Sequence, residues 1–450
     1  MSDKELTAAT SAAGLRIAEL RVHSIAIADP PLRSSYGLHA PYALRTIVEL
    51  DGGDGIVGLG ETHGGEALAR VLDSLKPKLA GSDPFSVLGE IATQQGTRRA
   101  GTSQDRSQTY LVPGENPFDL EARINSVLEI ACLDLIGKSI GKTICDLLGA
   151  RARDEVAFSA YAFYKHAGGG GDGDDRRDDV YGEALTPQAL VKQVQQMTRE
   201  YGFDEIKLKA GVLDPEIEME TIRQLRAAFG SKVPLRLDPN CAWSVDTATE
   251  IGKALQSELD NGGYLEDPTA SLAGMAEVRR KLLQGGVRVP LASNVAVTSF
   301  ADLPESVRTD AVQIVLCDPH YWGGIRQVQH LGKVCETFGL GLSMHSNSHL
   351  GISLMAMAHA AASTPHLTYA CDTHYPWQTA EDEIVDGGRI KFQRGRVRIP
   401  DKPGLGVDLD YDQLARGRER FAKCSLRRRD DEAEMRKHVD PNWKRILPRW

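Results

Sequence analysis

Two lysines close together at the end of one apolar run are the first residues that could do chemistry. Lys207 and Lys209 lie in "FDEIKLK", which reads as a short buried strand. Residues i and i+2 of a strand point to the same face, so both ammonium groups share one face. Like charges held that close destabilise a folded protein unless a nearby group uses them. The pair therefore predicts a functional site at this strand end.

Oxygen-bearing side chains follow the next three apolar runs, at the point where each run ends. Asp238 ends "LRLD", Glu266 lies in "YLED" and Asn294 follows "PLAS". Mg²⁺ prefers carboxylate and amide oxygens, and neighbouring strands lie about 5 Å apart, so the three side chains can share one ion. A trio without Cys or His disfavours zinc. Any one of them could instead be a helix N-cap, but three in register predict a magnesium site.

A cation beside two lysines favours chemistry on a carboxylic acid. A cation that holds a substrate carboxylate can stabilise the enolate-like species formed when the α-proton leaves. A lysine near a second cation has a lowered pKa, so we expect Lys209 to take the proton and Lys207 to hold the carboxylate. His345, which ends "GLSMH", is a candidate acid or base on the opposite substrate face, and Asp318 would orient its imidazole. In isolation, His345 could equally be a polar loop residue.

The elements that must position these side chains alternate between strand and helix patterns. Eight short apolar runs recur after residue 155, and helix-length amphipathic segments separate most of them. The runs are "EVAFSAYAF", "FDEIKLK", "VPLRLD", "GYLED", "VRVPLAS", "AVQIVL", "GLGLSMH" and "LTYACD". Such alternation is typical of a (β/α)₈ barrel, whose active sites lie at the C-terminal ends of the strands. The polar residues are therefore expected to converge at one mouth.

The chain divides into three predicted parts. Residues 1–152 are expected to form an α+β capping domain, because β-rich runs around the turn signal "DGGDG" precede helical patterns. Residues 153–400 are expected to form the barrel, and residues 401–450 a C-terminal segment that returns to the cap. The stretches 97–118 and 166–179, rich in Gly and polar residues, are predicted loops, the second of them solvated and flexible.

Composition excludes several classes of function. The chain has 450 residues, a net charge of −9 and 41 % hydrophobic residues, as soluble globular proteins do. The acidic balance argues against nucleic-acid binding, no apolar stretch has membrane-spanning length, and the start lacks the apolar core of a signal peptide. The seven cysteines form no CxxC pair, which fits thiols in a reducing compartment. We therefore expect a cytoplasmic protein that binds neither nucleic acid nor membranes.

At these residues the sequence resembles the enolase superfamily, and most closely its glucarate dehydratase branch. The motifs are "KLKAGV", "LDPNCAWS", "LEDP", "SNV", "CDPHYW" and "MHSNSH", with "GLHAPYALR", "ACDTHYPWQ" and "KPGLGVDLD" elsewhere in the chain. The resemblance implies an α/β fold, a modified (β/α)₈ TIM barrel with an N-terminal α+β capping domain. It implies Mg²⁺ bound by Asp238, Glu266 and Asn294, and the asparagine as third ligand is typical of that branch.

The resemblance also implies roles for the other polar residues of the mouth. Lys209 would be the base on one substrate face with Lys207 as its partner, and His345 with Asp318 would form the base dyad on the other. Substrate contacts are implied for His39, Tyr161, Asn240, Ser346, His374 and Arg429. Of these, Arg429, in "RRRDD", would contact the far end of a diacid.

The sequence departs from that branch at one informative position. Glucarate dehydratases carry a threonine in the cap, just before a Phe-Asp pair, and "ENPFDLEAR" places Pro117 there. Proline has neither a side-chain hydroxyl nor a backbone N–H, and loops on a rigid scaffold commonly set specificity. The substrate could therefore be glucarate, another hexarate, or an aldonate that lacks the second carboxylate.

The predicted function is a Mg²⁺-dependent acid sugar dehydratase. It would remove the proton α to a carboxylate and eliminate the β-hydroxyl, giving a 2-keto-3-deoxy acid sugar. An epimerase or racemase, or a dehydratase of a different aldarate or aldonate, is the alternative within the superfamily. Outside enzymes, the alternative is a catalytically silent paralogue that binds a sugar acid, although the intact bases and ligands argue against it. We expect a small-molecule acid sugar as the partner and a homo-oligomer as the assembly.

Overall fold

The N-terminal part of the chain is built on a small antiparallel sheet. The computed structural model describes residues 14–39, 41–97, 117–149 and 151–450. The N-terminal strands are β1 (Glu19–Ala28), β2 (Arg33–Ser34), β3 (Gly37–Leu38), β4 (Tyr42–Asp51) and β5 (Val57–His63). The sheet has the order β1-β4-β5, and β2 pairs with β3 as a separate hairpin. Gly53 and Gly55, at φ 79° and 78°, make the predicted turn between β4 and β5.

Helices of this part pack on the sheet or on one another. They are α1 (Glu66–Ser74), α2 (Lys76–Leu79), α3 (Pro84–Thr97), α4 (Pro117–Ile140) and α5 (Ile144–Leu147). Helix α4 lies so close to β5 that a Cβ atom on Gly58 would meet the carbonyl oxygen of Ala131 at 2.2 Å. Glycine at this position therefore permits the close packing of helix on strand.

A parallel sheet forms the centre of the second part. The strands of this second part are β6 (Glu155–Ala157), β7 (Ala160–Phe163), β8 (Ile206–Lys209), β9 (Leu235–Asp238), β10 (Tyr264–Glu266), β11 (Leu291–Ser293), β12 (Ile314–Cys317), β13 (Gly341–Met344) and β14 (Arg396–Arg398). Strands β7 to β13 pair in chain order, and each pairing is parallel. Strand β6 pairs instead with β14, antiparallel. The predicted modified (β/α)₈ barrel with an α+β cap is confirmed.

The eighth predicted run, "LTYACD", closes the barrel without forming a regular strand. On one side, Asp372 N donates to the carbonyl of Met344 at 2.8 Å. On the other side, Cys371 N donates to the carbonyl of Ala157 and its own carbonyl accepts from Ser159 N, both at 2.9 Å. Its backbone groups are thus satisfied by both neighbours, as in a barrel strand.

Helices connect the barrel strands and pack on the outside. They are α6 (Pro187–Tyr201), α7 (Pro215–Phe229), α8 (Val245–Ala254), α9 (Leu272–Gln284), α10 (Leu303–Thr309), α11 (Pro319–Trp322), α12 (Ile325–Phe338) and α13 (Gly351–Ala362). Helix α6 shows why they form. The Thr186 side chain accepts from Ala189 N, Pro187 occupies the first turn, and Gly202 ends the helix at φ 74°. Each helix thereby places the next strand end at the same mouth.

The C-terminal residues reach both parts of the molecule. Helix α14 (Tyr411–Lys423) packs on β1, where Arg420 Nε donates to the carbonyl of Ala26 at 3.0 Å. Helix α15 (Asp431–His438) packs on β3 through Leu38 and Met435. The backbone of Trp450 then bonds to Ala242 and Ser244, in the loop after β9. These contacts agree with a segment that returns to the cap, while the domain boundaries at residues 152 and 400 remain predictions.

Three further sequence-based expectations concern loops, thiols and membrane spans. Residues 166–179 are not a free loop, because the buried Lys165 pairs with Asp179 at 2.6 Å and Arg177 with Asp382 at 2.9 Å. The seven cysteines, all in the described part of the chain, form no disulfide. No helix among the described residues combines the length and apolar character needed to cross a bilayer.

Candidate active site

The C-terminal ends of the parallel strands bring the predicted residues to one mouth. Lys207 and Lys209 lie on β8, and the next two strands end in Asp238 and Glu266. The residues that directly follow β11, β12 and β13 are Asn294, Asp318 and His345. The strand ends are also conformationally unusual, because Asn240 and Asp267 take φ values of 46° and 38°. Such backbone conformations are sparsely populated and cluster at functional sites.

The two lysines are held by buried carboxylates. Lys209 Nζ donates to Asp238 Oδ2 at 2.8 Å, in line with the pairing of these two residues between β8 and β9. Lys207 Nζ donates to Asp372 Oδ2 at 2.6 Å and lies 2.5 Å from Glu266 Oε2. The Lys207 side chain is fully buried. The like charges of the lysine pair are therefore compensated by carboxylates.

The carboxylates also decide the protonation of the lysines. Burial lowers the pKa of Lys209, but the charge of Asp238 raises it more, and the result lies well above the ordinary value. The pKa of Lys207 is also raised well above the ordinary value: burial lowers it, but the charges of Asp372 and Glu266 raise it more. Between these carboxylates the pKa of each lysine is raised, because the nearest charge to each ammonium is an anion and not the other lysine. The lowering of the lysine pKa by a nearby cation stays a prediction.

The predicted metal ligands form a cluster of oxygen donors. Asp238 and Glu266 are fully buried, and the one ammonium beside Glu266 Oε2 among the described residues is that of Lys207, at 2.5 Å. With its nitrogen toward the carboxylates, the Asn294 amide donates to Asp267 Oδ2 at 2.9 Å and Glu266 Oε1 at 3.3 Å. With the amide flipped, its oxygen lies beside Glu266. In that orientation Asn294 and Glu266 could both bind one cation. This donor set suits a hard ion such as Mg²⁺.

Electrostatics at this cluster points the same way. Burial and the neighbouring charge of Asp238 raise the pKa of Glu266 well above its ordinary value. Burial raises the pKa of Asp238 too, but Lys209 and Lys207 lower it to about 2. Two adjacent carboxylates repel unless a cation lies between them. Among the described residues, no three His, Cys, Asp or Glu side chains are arranged to hold a metal ion; the predicted trio contains two of these types and an amide.

His345 is backed by a chain of polar groups. Its Nδ1 lies 3.2 Å from Asp318 Oδ2, while Asp318 Oδ1 accepts from His320 Nδ1 at 2.7 Å. Burial raises the pKa of Asp318, but the charge of His320 and hydrogen bonds from both histidines lower it to well below the ordinary value. On its far side, His320 Nε2 lies 2.8 Å from Ser353 Oγ. An ionised Asp318 can therefore orient the imidazole of His345.

The six predicted substrate contacts form one connected group. Ser346 Oγ lies 2.9 Å from Nδ1 of His374, and the His374 ring stacks on that of His39 at 6.3 Å. Arg429 Nη2 lies 2.5 Å from Nε2 of His39, so of the three adjacent arginines it is Arg429 that reaches this group. The remaining two predicted contacts, Tyr161 and Asn240, both hydrogen-bond to Asp238.

Several polar residues of the mouth were given no role from sequence. Asp372 holds Lys207, and Tyr36 donates to Asn240 Oδ1 at 2.6 Å with its ring 5.7 Å from Lys209 Nζ. Asp372 ends the run "LTYACD", so the rule that located the other strand-end residues could have found it. Tyr36 comes from the hairpin of the cap, which no barrel pattern places. The loop segment 98–116 and the side chain of Pro117 lie outside what the structure describes.

Comparisons with known proteins agree with this arrangement. A family model described as "Enolase C-terminal domain-like" matches residues 189–413. The chain is 43 % identical, over 97 % of its length and 99 % of the relative's, to a probable glucarate dehydratase of Streptomyces coelicolor. It is 26 % identical to a D-xylonate dehydratase of Haloferax volcanii, over 80 % of this chain and 82 % of that one.

A solved structure shares the whole architecture. An enolase from Pseudomonas fluorescens, crystallised with magnesium, potassium and tartrate, superposes with a TM-score of 0.89 at 43 % identity. The match covers 97 % of this chain and all of that one. The chain therefore belongs to the enolase superfamily, in the branch that contains the probable glucarate dehydratase of Streptomyces coelicolor.

Proposed function

We propose that the protein is a Mg²⁺-dependent dehydratase of acid sugars. One observation carries the proposal. Two candidate bases contact two different members of the oxygen cluster: Lys209 Nζ is 2.8 Å from Asp238, and His345 Nε2 is 3.2 Å from the Asn294 amide. A substrate carboxylate held at this cluster would have a base on each side of its α-carbon.

The chain's own residues account for the proton movements. Asp238, Glu266 and Asn294 would hold Mg²⁺, which when bound supplies positive charge that stabilises a deprotonated acid. Lys209 or His345 takes the α-proton, depending on the configuration at that carbon. Lys207 stabilises the negative charge that develops on the carboxylate.

Elimination requires an acid as well as a base. His345, oriented by Asp318, donates a proton to the β-hydroxyl, which leaves as water. The resulting enol tautomerises to the 2-keto-3-deoxy acid. Lys209 must be deprotonated before it can act, and its pKa would fall once the charge of Asp238 is compensated by a group other than Lys209.

A six-carbon diacid is the substrate class that we favour. The Streptomyces coelicolor relative bears the name of a glucarate enzyme, and the Pseudomonas fluorescens enolase holds tartrate, a dicarboxylate. The more distant D-xylonate dehydratase leaves an aldonate as the second candidate. Bases on both sides of the site also permit epimerisation next to the carboxylate.

The test is a panel of hexarates and aldonates, each incubated with the protein and Mg²⁺ and assayed for 2-keto-3-deoxy products. Turnover of a diacid supports the proposal in full. Turnover of monoacids alone would support dehydratase activity but would contradict a diacid as the substrate. Proton exchange without product would point to an epimerase. Silence in both assays would contradict the proposal and favour a protein that only binds a sugar acid. Mass measurement in solution would test the predicted homo-oligomer.

A further inference from the structure

An arginine-rich cavity lies beside the mouth of the barrel, between the cap and the C-terminal segment. Its volume is about 610 Å³. Asn347 and Ser348, which follow the candidate base His345 in sequence, form part of its wall. Five arginines line the cavity: Arg45, Arg123, Arg427, Arg428 and Arg429.

Four of these arginines have carboxylate partners. Arg45 pairs with Glu61 at 2.8 Å, Arg427 with Glu66 at 3.0 Å, Arg428 with Asp430 at 3.7 Å, and Arg429 with Asp431 at 2.6 Å. Their charges are therefore compensated within the protein.

Arg123, on helix α4, is the exception among the five. It is only 2 % exposed, yet its Nε and Nη2 atoms have no hydrogen-bond acceptor among the described residues. The guanidinium carbon lies 5.8 Å from the centre of the aromatic ring of Tyr321. A buried guanidinium without an anionic partner is strongly unfavourable. Buried charges of this kind are frequent at functional sites, where a bound ligand can supply the opposite charge.

The position of Arg123 relates it to the reaction site. The ring of Tyr321 lies 6.1 Å from that of His345, so a single aromatic side chain separates Arg123 from the candidate base. Arg429, which reaches His39 in the substrate-contact group, lines the same cavity. The cavity and the substrate-contact group therefore share Arg429.

We propose that Arg123 binds the second carboxylate of the substrate and so selects diacids over monoacids, an inference that rests on the proposed function. A guanidinium can donate two parallel hydrogen bonds to a carboxylate. A monoacid carries a hydroxymethyl group where the diacid has its second carboxylate, so a bound monoacid would leave the charge of Arg123 uncompensated.

The first experiment measures binding without turnover. Affinities for glucarate and gluconate, and for galactarate and galactonate, are determined by calorimetry in a Lys209→Met protein loaded with Mg²⁺. Adding Arg123→Gln should weaken diacid binding about 10- to 100-fold and change monoacid binding less than about threefold, since hydrogen bonds to charged groups are the strong ones. Arg123→Lys should restore part of the affinity, as one ammonium lacks the bidentate geometry. Arg308→Gln, at an exposed position on α10 outside the cavity, is the control and should leave all four affinities unchanged.

The second experiment separates a ligand-binding role from a structural one. Without ligand, Arg123→Gln should raise Tm, because it removes a buried charge that has no anionic partner among the described residues; a structural role would lower Tm. Three outcomes would overturn the inference. Arg123→Gln could weaken the binding of diacids and monoacids equally, or weaken neither, or the Lys209→Met parent could fail to bind diacids at all. If the wild type turns over no acid sugar, the proposed function fails, while the binding comparison still decides the role of Arg123.

Discussion

Glu266 is the residue whose environment is hardest to explain without a bound cation. It lies beside Asp238 and Asp267 in a fully buried cluster, and Lys207 is the one ammonium close to it among the described residues. Burial and the Asp238 charge both oppose its ionisation. A divalent ion among these oxygens would reverse that balance.

Magnesium is therefore predicted to stabilise the folded protein. Binding to the native state alone adds about 2.7 kcal/mol at one hundred times Kd, so Mg²⁺ should raise Tm and EDTA should remove the gain. Glu266→Gln should lose this response, and Glu277→Gln, at an exposed position on α9, should keep it. Differential scanning calorimetry with and without Mg²⁺ measures both. An equal Mg²⁺ response in the Glu266→Gln variant would contradict the assignment of this ligand.

At the residue scale, sequence could locate those side chains that directly end apolar runs. Lys209, Asp238 and His345 were found in this way, because the barrel gathers all strand ends at one mouth. Arg123 was missed for a physical reason: it lies inside a helix of the cap, and only tertiary packing brings it to the cavity. The pairing of each lysine ammonium with a carboxylate could not be predicted either, because it depends on side-chain geometry.

At the scale of elements, one ionic cluster joins the cap sheet to helix α14. Glu49 on β4 accepts from Tyr411 Oη at 2.8 Å, and its carboxylate also contacts His23 and Arg21 on β1. Burial raises the pKa of Glu49, but hydrogen bonds from His23 and Arg21 lower it to about 2. The cluster therefore favours the ionised carboxylate in the folded state.

Glu49 should make the stability of the fold depend on pH. Its folded pKa of about 2 lies below the ordinary value near 4.5, so its contribution is present above pH 4.5 and is lost as pH falls toward 2. Glu49→Gln should lower the free energy of unfolding by about 1–3 kcal/mol at pH 7, and the difference from wild type should shrink between pH 5 and pH 3. Urea unfolding at several pH values measures this. A difference that stays constant with pH would show that Glu49 acts by packing alone.

The sequence predicted those helices and strands whose structure follows from hydrophobic periodicity. The helix pattern beginning at "LEARINSV" became α4, and the β-rich runs near the start became β1, β4 and β5. The eighth run was predicted as a strand but forms backbone hydrogen bonds on both sides without regular strand geometry. Short apolar runs predict burial well, but regular pairing also depends on the neighbouring strands.

At the scale of the whole molecule, the mouth is assembled from all three parts of the chain. The barrel supplies the lysines, carboxylates and His345, the cap supplies Tyr36 and His39, and the C-terminal segment supplies Arg429. The sequence could assign the chemistry to the barrel, because the C-terminal ends of parallel barrel strands all lie at the same mouth. The far end of the substrate site depends on how cap and C-terminal segment pack, which no local pattern determines.

The central claim is that two bases serve opposite faces of one bound acid. The measurement that tests it most directly is exchange of the α-proton with D₂O, followed by NMR, for acid sugars that are epimeric at that carbon. Lys209→Met should abolish exchange with one epimer and His345→Asn with the other, each by about 10²- to 10⁴-fold, and each should spare the opposite epimer. If both variants exchanged both epimers at the wild-type rate, the account of this site would be contradicted.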